Sequence, residues 1–412
     1  MRVCILGGGL CGLTAASALS NICEVEIFEK EDCLGGCLSS FRAETYSIER
    51  FYHHFFAGDE SFIGLATYLG LKDSLEWLKG TTGYHADGRN YPLNTPLEIL
   101  RYPYLSLSDK ARLFLLTLKA KRMETELLDD ITAKDFILRE CGDGVYHSFF
   151  RPLLASKFGA RANEVSAAWL VSRIAIRSNR GISGERLGYI KGGFVRLIDA
   201  LRRDIEAKGG RIHVSSPVSS LERRGSGWTV NGIHFDRVIS TIAPSELRRI
   251  SGLDLPSIPY QGAASLMLGL SRDVTESVYW LNMKDPSPYG AVIAHTNFVP
   301  YERYGEHIVY LASYFEGNMG KDRERSMLAD FMRRFSLKDE EVHWKRMAVE
   351  PNAGPVFISG YREKIPAFAE RGLYLAGMFS RTNYPERSME GSVKAALEVA
   401  RILTEECGHG SD

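Results

Sequence analysis

The six residues Gly7-Gly8-Gly9-Leu10-Cys11-Gly12 constrain this chain more than any others. They follow a short apolar run from Arg2 to Leu6, and behind them Leu13, Ala16 and Leu19 recur at helical spacing. The pattern reads strand, tight turn, helix. A second apolar run, Val25 to Phe28, closes a unit of about thirty residues, the length a parallel strand pair with a crossover helix requires. Gly7 permits the turn, Gly9 lets the backbone approach a pyrophosphate, and Gly12 lets the helix pack close to the strand. Backbone N–H groups at the helix start, among them those of Leu10 and Cys11, then face the phosphates with the helix dipole behind them. Glu29 stands twenty residues beyond Gly9, where a carboxylate accepts hydrogen bonds from a ribose diol and repels a 2′-phosphate. The unit predicts a dinucleotide site, and its spacing leaves FAD and NAD both open.

A chain of 412 residues with 44% hydrophobic content exceeds one ordinary core and suffices for two. The fold class expected is α/β, with a discontinuous Rossmann-like dinucleotide domain built from residues 1–78, 188–252 and 345–412. A second, α+β substrate domain is expected to contribute a helical lobe over 79–187 and an antiparallel sheet over 253–344. The lobe rests on helical patterning such as Leu113 to Leu118, the sheet on the runs Leu266 to Leu270, Ala291 to Ala294 and Ile308 to Tyr314. The end returns to the style of the beginning, with a strand pattern over Gly372 to Gly377 and a helix pattern over Gly391 to Leu403.

Charge and cysteine usage narrow the partners. Lys+Arg and Asp+Glu both number 51, a zero net charge that argues against binding a nucleic-acid backbone. Seven cysteines, five of them between Cys4 and Cys37, show no metal-ligand spacing and predict reduced thiols in a cytoplasmic protein without a structural metal. No run reaches the roughly 18 apolar residues of a membrane span, so no integral membrane segment is expected.

The run Glu29-Lys30-Glu31-Asp32-Cys33-Leu34-Gly35-Gly36 resembles the acid and twin-glycine extension of FAD proteins in the amine oxidase, protoporphyrinogen oxidase and phytoene desaturase superfamily. Three further segments share the likeness: Gly192-Gly193-Phe194 with Ser216-Pro217-Val218, the run Asp236 to Pro244, and Gly372 to Gly377 with Arg387 to Ala396. The resemblance implies FAD, with Lys30 among the cofactor-binding residues, Gly35 and Gly36 beside the diphosphate, Val218 at the adenine and Thr241 on the adjoining strand. It places Gly377, Met378, Met389, Glu390 and Ser392 near the flavin ring, the helix start facing the ring's C2 carbonyl. Cys37 and Met378 stand where many relatives carry a basic and an acidic residue, so backbone roles alone carry over there. No cysteine lies between Cys141 and Cys407, so the family's cysteinyl-flavin link has no counterpart and FAD is expected to bind noncovalently.

Candidates for chemistry are fewer. His53 and His54 sit within Phe51-Tyr52-His53-His54-Phe55-Phe56, as proton carriers or as one core and one surface histidine. Tyr384 and Arg387 fall in the loop before the last helix and are candidates for the pocket wall or for a surface turn. Arg173, Arg177 and Arg180 form either an anion-binding row or a solvated face. The run Leu113 to Leu118, with Lys119, Lys121 and Arg122, reads as a core helix with a basic end or as a membrane contact. The aromatic-histidine cluster also loosely resembles a loop of UDP-galactopyranose mutases. The function expected is an FAD-dependent oxidoreductase of the protoporphyrinogen oxidase and amine oxidase type, passing a hydride from a small-molecule substrate to flavin N5. The electron acceptor is unidentified. A flavin mutase acting on a sugar nucleotide, or a flavin-binding protein without turnover, are the alternatives.

Overall fold

The computed structural model describes residues 1–43, 45–177, 185–366, 369–385 and 388–409. Its first layer is a six-stranded sheet in the order Ala369–Glu370, Leu373–Leu375, Arg237–Ser240, Arg2–Leu6, Glu24–Phe28, Arg211–His213. Every pairing is parallel except that of the first two strands. Strands buried on both faces need apolar residues at successive positions, and Val3, Cys4, Ile5 and Leu6 meet that demand with almost no exposure. The helix Leu10–Leu19 crosses from Arg2–Leu6 to Glu24–Phe28 and packs against Val195–Ala207 and Ser388–His409. The sheet thus draws its strands from three separated stretches of chain, and the α/β, discontinuous Rossmann-like architecture read from the sequence is present.

The second sheet has seven strands, in the order Val342–Pro355, Tyr260–Leu270, His307–Phe315, Ala291–Ala294, Trp280–Met283, Thr82–Ala86, Arg89–Pro92. One pair, Trp280–Met283 with Thr82–Ala86, is parallel and the rest antiparallel. Alternation along Tyr260–Leu270 separates its faces: Leu266, Leu268 and Leu270 pack with Met327 and Phe331 of the helix Arg323–Arg334, whereas Ala263 and Ser265 face a cavity.

Two of these strands, Thr82–Ala86 and Arg89–Pro92, fall in the stretch read as helical. Asp87 and Gly88, with φ of 48° and 71°, form the two-residue turn between them, so an Asp-Gly hairpin signal was present in the sequence. Between residues 96 and 177 that stretch is mainly helical, with Pro96–Arg101, Leu107–Ala120, Ala133–Val145, Arg151–Phe158 and Ala167–Arg177, while its two ends join the antiparallel strand pair Leu75–Gly80 and Glu185–Ile190. Thr95 with Glu98, and Ser106 with Asp109, close capping boxes at the starts of the first two helices. No helix among the described residues is long and apolar enough to cross a membrane.

Candidate functional site

Four strands of the parallel sheet end side by side at Leu6, Phe28, Ser240 and Leu375, and each is followed by a turn that meets the others. Gly7, at φ 102°, donates its N–H to Phe28 O at 2.9 Å, and Thr241 Oγ1 donates to Leu6 O at 2.8 Å. Gly12 is fixed by packing, since a Cβ there would lie 2.0 Å from Gly7 O. Gly9 differs: its φ of −76° suits any residue, and a Cβ would meet no protein atom within 4 Å. The packing of the polypeptide therefore leaves the Cβ direction of Gly9 open. The twin-glycine loop returns to the same turn, with Gly35 N donating to Gly8 O at 2.8 Å, and Gly36 approaches Gly9 so closely that its Cβ would stand 3.5 Å from Gly9 Cα.

Glu29 is buried and holds both loops: Oε2 accepts from Gly8 N at 2.6 Å and Oε1 from Glu31 N at 2.9 Å. Each oxygen retains acceptor capacity for a ligand hydroxyl. Lys30 is exposed at the rim, and Leu10 and Cys11 are buried at the helix start. Burial pushes the Cys11 and Cys37 thiols up to about 12, so both stay protonated at neutral pH.

From these glycines a cavity of about 1530 Å³ runs to the inner face of the seven-stranded sheet. Val218, Thr241, Gly377, Met378, Met389 and Ser392 line it. Glu390 does not. Met389 and Ser392 share one helix face at i, i+3 spacing, and Glu390 lies roughly 100° around from Met389. Its carboxylate instead accepts from Ser61 N (3.1 Å) and Phe62 N (2.8 Å) at the start of the helix Glu60–Tyr68, and pairs with Lys394 at 3.1 Å. Burial alone would raise its pKa, but the two N–H donors and the ammonium outweigh it and hold the carboxyl below the ordinary range.

Tyr384 also turns away from the cavity. Its ring stacks on Tyr361 at 5.2 Å and its hydroxyl donates to Asp129, so it ties the loop to the helical lobe. Arg387 and Arg180 lie outside the described residues, whereas Arg173 is half-buried at the cavity wall against Trp169, its guanidinium 5.6 Å from the ring, with Lys157 Nζ 4.9 Å from the same ring.

Both histidines line the cavity. His53 Nδ1 lies 2.8 Å from Phe51 O, and because a carbonyl only accepts, Nδ1 carries the proton and Nε2 is left as an acceptor. Burial lowers His53 to about 4, the hydrogen bond to Phe51 opposing it weakly, so the ring is neutral at pH 7. His54 Nδ1 lies 3.3 Å from Tyr279 Oη.

The structure adds residues with no sequence signal of their own. Tyr52 and Tyr314 share a hydrogen bond of 2.9 Å on the cavity wall, with Trp280 edge-on to Tyr52 at 4.8 Å. Asn383 is buried beside the last helix and donates through Nδ2 to Gly377 O at 2.8 Å. Its Oδ1, and the Oγ of Ser265 at the sheet end, are buried at the cavity wall without a hydrogen-bond partner among the described residues. Buried polar atoms are rarely left so. Together with the open Cβ direction of Gly9, they fit a cavity shaped for a large, partly polar organic group.

The family model of flavin containing amine oxidoreductases matches residues 10–404. A coproporphyrinogen III oxidase of Propionibacterium freudenreichii subsp. freudenreichii is 22% identical over 342 residues, 67% of this chain and 63% of that protein. The chain therefore spans less than two thirds of that curated relative's length. Among solved structures, a protein of Exiguobacterium sp. 255-15 provisionally called a protoporphyrinogen oxidase superposes with a TM-score of 0.79 at 16% identity, covering 98% of this chain and 99% of its own. Reduced UDP-galactopyranose mutase superposes with a TM-score of 0.75 at 17% identity, over 97% and 96%. At such identities the structures share the fold alone.

Proposed function

The chain belongs to the family of flavin containing amine oxidoreductases, and from that premise we propose that it is an FAD-dependent oxidoreductase of the protoporphyrinogen oxidase and amine oxidase type. The reaction we assign is oxidation or desaturation of a small organic substrate at a C–N or C–C bond. The observation that carries this reading is the continuity of one cavity from Gly9 to Ser265, a single void with room for a dinucleotide and a substrate together.

Gly9, Gly36 and the N–H groups of Leu10 and Cys11 would hold the diphosphate, Glu29 the ribose, and Val218 the adenine end. Gly377, Met378, Met389 and Ser392 would border the ring, with Asn383 fixing the loop between them. When bound, FAD supplies a hydride acceptor. The chain's own contribution is a chamber walled by Tyr52, Tyr314, Trp280 and Trp169, and a neutral His53 whose Nε2 would accept the substrate's second hydrogen as a proton while the hydride leaves its C–H bond. The high pKa of the buried Cys11 and Cys37 thiols makes both poor nucleophiles, in keeping with a noncovalent cofactor. None of the seven cysteines is in a disulfide, which suits a reducing, cytoplasmic setting.

Arg173 and Lys157 beside Trp169 support a second reading, a mutase acting on a sugar nucleotide, since paired cations suit a diphosphate. Anaerobic mixing with candidate substrates separates the two. An oxidoreductase is bleached by its own substrate, whereas a mutase turns over only after prior reduction and stays reduced. A purified protein that is colourless and cannot be reconstituted with FAD refutes both.

A further inference from the structure

Glu49 ends the short strand Ser47–Glu49 almost fully buried, and no cation pairs with it among the described residues. Burying an acid without a cation is costly, so its place calls for a reason. Phe194 N donates to its Oε1 at 2.7 Å, and the Tyr189 hydroxyl lies 3.0 and 2.9 Å from Oε1 and Oε2. Phe194 is the N-cap of the helix Val195–Ala207, so the carboxyl group sits at the positive end of that helix. Gly193 leaves room for it, since a Cβ there would stand 2.9 Å from Oε1. Burial pushes the Glu49 pKa up, and the N–H groups of Phe194 and Glu49 and the Tyr189 hydroxyl oppose it. Glu49 is not part of the cavity wall, but Phe51, Tyr52, His53 and His54 after it are.

Those residues form an arch with both feet on one strand, Glu185–Ile190. At the far foot Phe55 N donates to Gly188 O at 3.0 Å and Gly188 N to Phe55 O at 2.7 Å, so close that a Cβ on Gly188 would lie 2.1 Å from the Phe55 ring. At the near foot the Glu49 side chain holds Tyr189, the next residue of the same strand. Tyr310 Oη donates to Glu49 O at 2.9 Å and fastens that foot to the seven-stranded sheet as well. The partners of Glu49 also brace the arch's side chains. The Phe194 ring stands edge-on to His53 at 6.1 Å and to Tyr189 at 5.4 Å, and Tyr310 stands edge-on to Tyr52 at 6.2 Å. This link to His53 is mechanical, because burial and the Phe51 hydrogen bond are what shift the His53 pKa.

We propose that Glu49 is a positioning residue: through Phe194 and Tyr189 it holds the 50–54 arch so that His53 keeps its proton on Nδ1, bonded to Phe51 O, and turns Nε2 to the cavity. Releasing the near foot frees Phe51 O and the Phe194 ring together, and His53 then loses both its hydrogen-bond partner and its brace. Its bearing on turnover rests on the proton-carrier reading of His53, but the geometry itself is read without substrate.

The test is nitrogen-15 NMR of the full chain labelled at histidine, with the His53 signals assigned by their loss in His53→Gln. The parent is expected to show the Nδ1–H tautomer alone, titrating at about 4. Glu49→Ala is expected to mix the two tautomers and to raise that midpoint by about one unit or more, toward the ordinary histidine value. Glu49→Gln retains an oxygen for Phe194 N and is expected to keep the parent pattern. A Glu49→Ala protein with unchanged circular dichroism whose His53 keeps the parent tautomer and midpoint overturns the proposal. Should Glu49→Ala not fold, Tyr189→Phe decides, because it removes one donor and keeps the ring against Phe194. There His53 is expected to move in the same direction, and an unchanged His53 overturns the proposal. A His53 that shifts in these variants and yet proves dispensable for turnover supports the positioning role and refutes the proton-carrier reading alone.

Discussion

Gly9 and Gly12 lie three residues apart in the same turn, yet the structure assigns them opposite reasons for being glycine, and substitution separates the two. In Gly12→Ala the new Cβ lies 2.0 Å from Gly7 O and 3.2 Å from Ile5 Cγ2. Relieving the first contact moves the helix or the strand by more than an ångström, a rearrangement that costs about 3 kcal/mol or more in a packed core. In Gly9→Val the backbone, at φ −76° and ψ −179°, needs no change and the new Cβ meets no protein atom within 4 Å. Gly9 is the N-cap of the helix Leu10–Leu19, so valine there costs about 1 kcal/mol as a poor cap. The loss of backbone freedom in the unfolded chain offsets about half of that. Flavin-free Gly9→Val is therefore expected to unfold in urea within about 1 kcal/mol of the parent. It is nevertheless expected to purify without flavin, because the isopropyl group occupies the path of the diphosphate. Urea unfolding of the two apoproteins and flavin content per chain from the visible absorbance measure both quantities. A Gly9→Val protein with a full flavin load, or one as unstable as Gly12→Ala, refutes the phosphate-cradle reasoning.

The other predictions concern side chains the cavity does and does not use. Glu390→Ala strands two N–H groups at the start of the helix Glu60–Tyr68 and is expected to cost about 3 kcal/mol in urea unfolding. Because the folded carboxyl is held below its ordinary pKa, the parent keeps that stability above about pH 4.5 and loses it as pH falls through the lowered folded value. The variant's stability is expected to lack this component of the acid slope. His53→Gln is expected to cut kcat/KM by about 100-fold or more and to remove an acid limb centred on about pH 4; a limb near 6.5 in the parent, or one that survives substitution, assigns the base elsewhere. Cys23 and Cys407 hold their Sγ atoms 3.6 Å apart across the ends of the chain, so the two-electron oxidant diamide is expected to join them with loss of both thiol hydrogens. Burial first, and then Cys407, push Cys23 up to about 12, so the reaction is expected to accelerate with pH; mapping by mass spectrometry to any other pair rejects the assignment.

What the sequence revealed and what it hid follow one physical division. The proposed nucleotide cradle is legible because its requirements are local: Gly7 needs a positive φ, Gly12 a close helix-strand contact, and both are set within a few residues of each other. Even the acid at Glu29 is found by distance along the chain, since one crossover helix has a nearly fixed length. The Thr82–Pro92 hairpin was equally local and announced itself at Asp87-Gly88, but the helical patterning that follows masked it. Tyr384 and Glu390 failed for a different reason. A chain position at or beside the start of the last helix was legible, but the direction of each side chain was decided by Asp129 and by Ser61 and Phe62, hundreds of residues away. The cavity's far wall was hidden more deeply still. Ser265 and Tyr314 lie on strands whose apolar runs look alike on both faces, and only their pairing with opposite neighbours, Ala312 and Ala263, turns one face inward. The same logic explains why the Leu107–Ala120 helix stayed ambiguous. Periodicity reports that a helix has two apolar faces, and only the folded lobe reveals that Leu113 and Leu116 consume one of them while Leu107 and Phe114 are left over. Local chemistry therefore points to the cofactor class in this chain, and long-range packing decides which side chains face the cavity, which is why the proposal of His53 as proton carrier rests on its geometry rather than on the motif that found the site.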